Sequence, residues 1–381
     1  MAMRSVNPRK GQAGLHWLKD HAWPLWLELG VDWERRAFLE HIDLETLDCR
    51  ATFRRLRVAA RQTYVFAKAA TYGVPRAAEA VALGLEFLSG PARLADGGYA
   101  WRFDLDNSPI DMTRDLYDHA FVLLAFASAA EVVGRDRLRP QALTLHRYIA
   151  ENFRHPQGGY ENSVPPALPR QQNPHMHLLE ALLAAHEAFG DAAFFDGAAE
   201  LAELLVRRLF QAREGALPEC FDEALTPRRE AGRFRIEPGH HYEWVWLLDR
   251  YAAAAAAIGR AVAPELAAAS DALHKFADRH GVSPAFGLVM NGTWSDGAIE
   301  DGGFRLWPQT ERLKVAARRE DSERFTAALH ALERHLVGVR PGLWIERFDV
   351  AGQAVPGPAP ATSLYHLTAA LTDGAVMALG T

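Results

Sequence analysis

Cysteine is almost missing: Cys49 and Cys220 are the only two in 381 residues, and no CxxC pair exists. That argues against a disulfide framework and makes a reducing, cytoplasmic setting the natural expectation. Long apolar runs are missing too. No stretch approaches 18 uninterrupted apolar residues, and the alanine-rich run 251–258 is too short to span a bilayer. Arg4, Arg9 and Lys10 are not followed by the apolar segment of a secretory leader. Basic charge is in deficit, 42 Lys and Arg against 48 Asp and Glu, for a net charge of −6. Arginines gather at Arg54, Arg55, Arg57 and Arg61, and again at Arg228 and Arg229, but neither group makes a basic face. A general nucleic-acid binder needs such a face to neutralise phosphates. No P-loop, no GxGxxG after a strand, no GxSxG elbow and no HExxH is present, so nucleotide-dependent, serine-hydrolase and zincin chemistry lack support. The expected partner is therefore a small molecule, with no nucleic acid, no membrane, no cofactor and no metal.

What the chain does have is helical periodicity. The pattern predicts helices at about 14–29, 51–73, 76–89, 111–132, 137–153, 173–189, 193–211, 238–258, 262–280, 303–318, 320–338 and 361–378. Short turns join them in pairs, as at Gly73-Val74-Pro75, Gly134-Arg135-Asp136, Gly190-Asp191 and Gly259-Arg260. Longer stretches at 90–110, 154–172, 212–237, 281–302 and 339–360 separate the pairs, with Gly-Gly-aromatic motifs and apolar runs short enough for small hairpins. Helix, turn, helix, long loop, repeated about six times, is the signature of a helical repeat architecture. Closed on itself it makes an (α/α)₆ barrel in one domain, 1–381; an open solenoid is the alternative.

Two motifs stand out: Gly239-His240-His241-Tyr242-Glu243-Trp244 and Asn173-Pro174-His175-Met176-His177-Leu178-Leu179-Glu180. Each sets a histidine at a helix start with a glutamate three residues on, on the same helix face. Glu243 is thus the expected helper of His240, and Glu180 that of His177. His175 cannot share the face of His177 and lacks such a partner. His366 opens the last helix without a nearby carboxylate. Arg61 lies in an apolar helix where a charge needs a partner. Trp307 and Glu311, around Pro308 in a helical first turn, suit sugar stacking and hydroxyl binding. Arg61, Tyr117, His177, His240 with Glu243, Trp307 with Glu311, and His366 all fall on alternate helices. Those would form one inner ring, so the residues should converge on one cavity. His119, His146, His186, His274, His330 and His335 show no such context and read as surface or packing residues, and His241 as structural. Metal binding is a rival for His175-x-His177 and His240-His241-x-Glu243, but neither has zinc-site spacing.

These motifs resemble the N-acylglucosamine 2-epimerase superfamily, which includes mannose isomerases and cellobiose 2-epimerases. The likeness rests on Ala60-Arg61-Gln62-Thr63-Tyr64-Val65-Phe66, residues 173–180, 239–244, 306–311 and 360–367. It implies an (α/α)₆ barrel and assigns catalysis to His240, His366 and His177. It further implies substrate binding by Arg61, Tyr117, Asn173, Glu243, Trp307 and Glu311. Arg35-Arg36-Ala37-Phe38 stands where the family has a Gly-Gly-Phe pocket segment. The implied reaction is cofactor-independent proton transfer through a cis-enediolate, with D-mannose to D-fructose isomerisation ahead of N-acylglucosamine or mannose 2-epimerisation. A glycoside hydrolase, which wants two carboxylates about the bond, and a non-catalytic helical scaffold are more distant readings. A monomer or homodimer is expected.

Overall fold

The computed structural model describes the backbone of residues 8–379 and the side chains of residues 12–373. Arg4 lies outside the described residues, and the side chains of Arg9 and Lys10 outside the described side chains. The helices are α1 (Pro8–Trp17), α2 (Trp23–Leu29), α3 (Leu56–Thr71), α4 (Ala77–Ser89), α5 (Leu116–Val133), α6 (Arg135–Asn152) and α7 (Gln172–Phe189). They continue with α8 (Ala192–Leu204), α9 (Pro238–Ala257), α10 (Glu265–His280), α11 (Leu306–Arg318), α12 (Ser322–Leu336) and α13 (Ala361–Leu379). A π-helical turn, Leu18–Ala22, joins α1 to α2 without a break, so the pair fills the place of the first expected helix.

Helices α3, α5, α7, α9, α11 and α13 each pack on the next, and α13 packs back on α3. The ring is closed. Outer helices α4, α6, α8, α10 and α12 each pack on the inner helix they follow, while α1 packs on α13. The sixth hairpin is thus made by the two ends of the chain. This is the (α/α)₆ barrel of six hairpins expected from the repeat. An inner helix meets neighbours on nearly all sides, so most of its residues are buried, polar ones such as Gln62 and Glu311 included. Helix α5 shows the consequence: it is apolar and long enough to cross a membrane by hydropathy, yet 72% of it is buried in the barrel.

Three inner helices begin later than their periodicity suggests, at Leu56, Leu116 and Leu306, because the residues before them are extended and paired. Each inner helix is preceded by a two-residue strand that pairs with a strand in the next long connection. In chain order β1 is Val31–Asp32, β2 Ala37–Phe38, β3 His41–Ile42, β4 Arg54–Arg55, β5 Arg102–Phe103, β6 Pro109–Asp111, β7 Arg114–Asp115 and β8 Ser163–Val164. Then follow β9 Arg170–Gln171, β10 Cys220–Phe221, β11 Arg235–Ile236, β12 Gly292–Trp294, β13 Ile299–Asp301, β14 Phe304–Arg305, β15 Arg347–Phe348 and β16 Ala359–Pro360. The pairs β4–β5, β7–β8, β9–β10, β11–β12 and β14–β15 run round the mouth, and β16–β3 closes the circle.

The residue just before the second strand of a pair does a repeated job. Glu40, Asn162 and Glu219 give their backbone carbonyls to the first N–H of α13, α5 and α7, at 2.9, 2.8 and 3.3 Å. Their side-chain oxygens accept from the N–H one residue before the following inner helix: Arg55 at 2.7 Å, Gln171 at 3.0 Å and Glu237 at 2.9 Å. The side chain of Asn291 does the same for Arg305 at 2.9 Å. Helix starts leave such N–H groups unpaired, and these rim residues satisfy them while tying neighbouring hairpins together.

Buried histidines make a second repeated tie. His119 accepts from Tyr99 N–H at 3.1 Å, His175 from Tyr160 N–H at 2.9 Å and His241 from Leu217 N–H at 3.1 Å. His119 and His175 also donate through Nδ1 to the carbonyls of Asp115 and Gln171, at 2.7 and 2.9 Å. Two of the loops enter this contact through Gly97 and Gly158, with φ of 91° and 98° that other residues resist. In α11 a glutamine takes the role: Gln309 accepts from Val289 N–H at 2.8 Å and donates to Val289 O at 2.9 Å. His119, expected as a surface or packing residue, is therefore a fully buried loop clamp, and so is His335, which bonds Ile345 O at 2.7 Å.

Burial lowers His175 to about 4, although the Gln171 carbonyl works the other way. The unfolded chain takes a proton there near 6.5 and the folded one only near 4. This clamp thus contributes stability above pH 6.5 that is lost as the pH falls to 4, about 3 kcal/mol in all. His175→Gln, copying Gln309, should keep the fold and shrink the drop in melting temperature between pH 7 and pH 5. His175→Ala should be destabilised by about 1–3 kcal/mol at pH 7 from the orphaned backbone groups, with turnover per folded molecule little changed. Equal acid sensitivity in His175→Gln and the wild type would refute the clamp.

Candidate active site

The start of each inner helix faces the same end of the barrel as the rim, and there the structure opens a cavity of about 290 Å³. Arg61, Tyr117, Asn173, His177, His240, Glu243, Trp307 and His366 all line it, from all six inner helices. So do Glu237, Arg305, Glu346, Thr362 and Ser363, which sequence reasoning missed. None of residues 35–38 lines it: Arg36 is ion-paired with Glu86, and Ala37–Phe38 pairs with Val31–Asp32.

His240 and His366 flank the Trp307 ring, at centroid distances of 4.9 and 5.7 Å. The approach of Trp307 explains the glycine before His240, since a Cβ on Gly239 would lie 2.6 Å from that ring. The helper of His240 is not Glu243. Its Nδ1 lies 2.8 Å from Oε2 of Glu219, from the connection before α9, and Gln172 Nε2 donates to the same oxygen at 3.0 Å. Position i+3 on the helix shares a face with i, but the Glu219 carboxylate comes in from the rim and takes the ring first.

His366 is likewise not without a carboxylate. Its Nδ1 lies 2.8 Å from Oε1 of Glu311, whose other oxygen meets the buried Lys314 Nζ at 2.5 Å. Glu311, expected in the binding wall, is fully buried and stands behind His366 instead. His177 does keep its expected partner: Nδ1 is 3.1 Å from Oε2 of Glu180, and the Tyr365 hydroxyl donates to Oε1. Glu243 sits among these groups, 3.8 Å from His177 Nδ1, with neither carboxylate oxygen hydrogen-bonded. Arg61 is 4% exposed; it donates to Thr362 O at 3.2 Å and to the Tyr117 hydroxyl, and lies over the rings of Phe121 and Tyr365 at 4.2 and 4.9 Å. Asn173 Oδ1 is buried and unpartnered.

The surroundings drive these two histidines to different charge states. Burial pulls His240 down, but the Glu219 carboxylate, joined by Glu237, pushes it up to about 9. Burial and the cations Arg61 and Lys314 hold His366 well below the ordinary range. At neutral pH His240 is an imidazolium and His366 a neutral ring. Burial raises Glu311 and the Lys314 ammonium beside it opposes that; a Glu311 carboxylate draws the His366 proton to Nδ1 and leaves Nε2 as acceptor. Burial also lowers His177, to about 4, and pushes Glu243 well above the usual carboxylate range, helped by Glu311. That shift favours the protonated form of Glu243, the form able to donate.

Two trios are close enough to hold a cation, His177–Glu180–Glu243 and Glu243–Glu311–His366. In the second, Lys314 already supplies positive charge to Glu311. Activity should survive prolonged EDTA treatment; loss on chelation, restored by one divalent metal, would turn these histidines from proton carriers into ligands.

The family model described as N-acylglucosamine 2-epimerase (GlcNAc 2-epimerase) matches residues 38–370. The chain is 38% identical over 384 residues to a protein of Rhizobium meliloti (strain 1021) named mannose-6-phosphate isomerase, with 94% of each chain covered. Among solved structures, the cellobiose 2-epimerase from Bacillus thermoamylovorans B4167 superposes with a TM-score of 0.84 at 17% identity, covering 96% of this chain and 98% of that one. A crystal structure of D-mannose isomerase does so with 0.80 at 18% identity, covering 97% and 96%. At those identities the structural likeness speaks for the fold.

Proposed function

The chain belongs to the N-acylglucosamine 2-epimerase family, a family of isomerases and epimerases, and from that premise we propose that it isomerises D-mannose to D-fructose. The observation that carries this reading is that His240 and His366 both lie against Trp307, each with its own carboxylate, in surroundings that favour the imidazolium at His240 and the neutral ring at His366. His366, neutral, takes the C2 proton of the open-chain aldose, whose acidity comes from the neighbouring carbonyl. The same nitrogen returns it to C1 of the cis-enediolate. His240, charged, gives a proton to O1 as the C2 proton leaves, and takes one back from O2 as the C2 carbonyl forms, so that it ends the turnover charged again. Arg61, and Glu243 in the protonated form its burial favours, offer donors to the developing oxyanion, in a buried site where such donors count for more than in water. His177, oriented by Glu180, offers a neutral ring to the substrate.

The asymmetry favours isomerisation over 2-epimerisation. Reversible epimerisation asks each histidine to be the base in one direction, and an imidazolium cannot remove a proton. The wall also favours an uncharged hexose over a phosphorylated one: Arg305 is already bonded to Glu237 at 2.6 Å, and Glu237 and Glu346 stand beside it. The test is incubation in D₂O with mannose, mannose 6-phosphate, glucose, fructose and N-acetylmannosamine, followed by NMR. Fructose formed from mannose, with solvent or transferred hydrogen at C1, is expected. Deuterium at C2 of a recovered epimer, with no ketose, would replace isomerase by epimerase; turnover of the 6-phosphate alone would replace the substrate.

A further inference from the structure

Glu346 departs from the rim pattern in one respect. Its backbone carbonyl accepts from Leu306 N–H, the first N–H of α11, at 3.0 Å, as its counterparts Glu40, Asn162 and Glu219 do for their helices. The side chains of Glu40, Asn162, Glu219 and Asn291 are then held by the N–H that precedes the following inner helix. For Glu346 that following position is Pro360, the last residue of β16, just before α13 starts at Ala361. Proline has no N–H to give. The Glu346 carboxyl is thereby released from the rim, and it lines the cavity. Only side chains hold it: Trp344 Nε1 donates at 3.0 Å, and the Ser363 hydroxyl bonds it.

We propose that Glu346 is a substrate-binding residue, its carboxyl freed by Pro360 to bond a hydroxyl of the sugar in the cavity. This rests on the reading of the site as a sugar site. Burial pushes the group up to about 7, against Ser363, Trp344 and the cations Arg305 and Arg347. Near neutrality it exists in both forms, so it can accept from a hydroxyl or donate to one. A sugar hydroxyl does both. The chemistry recognised is thus a neutral polyol edge beside the reacting carbons, where an aliphatic ligand would leave the carboxyl dry and unpaired.

The experiment measures kcat and KM on mannose for Glu346→Ala, Pro360→Ala and the double variant, beside the wild type. Glu346→Ala should raise KM about tenfold, the worth of one hydrogen bond from a group of this kind, with kcat changed much less. Pro360→Ala gives the rim an N–H again, so it should draw the carboxyl back and raise KM in the same sense. The double variant should be no worse than Glu346→Ala, because both substitutions remove the same contact. Unchanged KM in Glu346→Ala, or additive effects in the double variant, would overturn the proposal. Should Pro360→Ala not fold, Glu346→Ala against Glu346→Gln still decides, since the amide keeps a donor and an acceptor and should restore most of the affinity; a glutamine variant as weak as the alanine one counts against it. A wild type inert towards every sugar would instead sink the sugar reading itself.

Discussion

Replacing His366 by alanine should lower kcat by about 10²-fold or more, and His240→Ala should do so too, the usual range for a lost general base or acid. Neither ring belongs to the apolar core: both line the cavity, and each is held by one carboxylate. Thermal unfolding should therefore change little while turnover collapses. Steady-state isomerisation beside a melting curve measures both. The two losses should differ in kind. His366 is neutral far into acid, so the wild-type rate should hold as the pH falls through 6.5 and give way only well below it. A limb at the ordinary histidine value would mean that the base is some other ring. Near wild-type turnover in either alanine variant would end the two-histidine scheme.

The fold was legible because its signal is local and repeated. Periodicity marks an amphipathic helix within a dozen residues, and the alternation of short turns with long connections names the barrel before any contact is known. What failed at the helix starts failed for a non-local reason: Arg54-Arg55 and Phe304-Arg305 are extended only because β5 and β15 lie beside them. The cavity residues on the inner helices were legible by the same alternation. Their partners were not. His366 has no carboxylate within a helical turn, and Glu311 reaches it only because α11 and α13 are neighbours in the ring. Glu219 lies in a connection with no periodicity, between Pro218 and Cys220. A signal for it did exist: Glu40, Asn162, Glu219, Asn291 and Glu346 hold one position in five of the six connections, and Trp101 holds it in the sixth. Aligning the connections with each other, instead of the helices, would have found it and would have separated Glu346 from the rest through Pro360.

Glu219→Gln is the variant that most directly tests the charge on His240. The wild-type ring must hold its proton to act as acid, and burial alone would strip it. The Glu219 carboxylate at 2.8 Å is what raises the ring to about 9. An amide keeps the shape and an acceptor for the ring but removes the charge, so the folded value should fall to 6.5 or below. At pH 8 a ring of pKa 9 is about nine-tenths protonated, and one of 6.5 about 3%. The alkaline limb of kcat/KM should accordingly move down by about two to three pH units. The variant should lose about thirtyfold at pH 8 and much less at pH 6. A structural fault would lower the rate equally at every pH, so the shape of the profile separates the two causes. An alkaline limb still near 9 in Glu219→Gln would mean that His240 is not the acid, or that Glu237 alone keeps it charged; Glu237→Gln in the same background would then tell which.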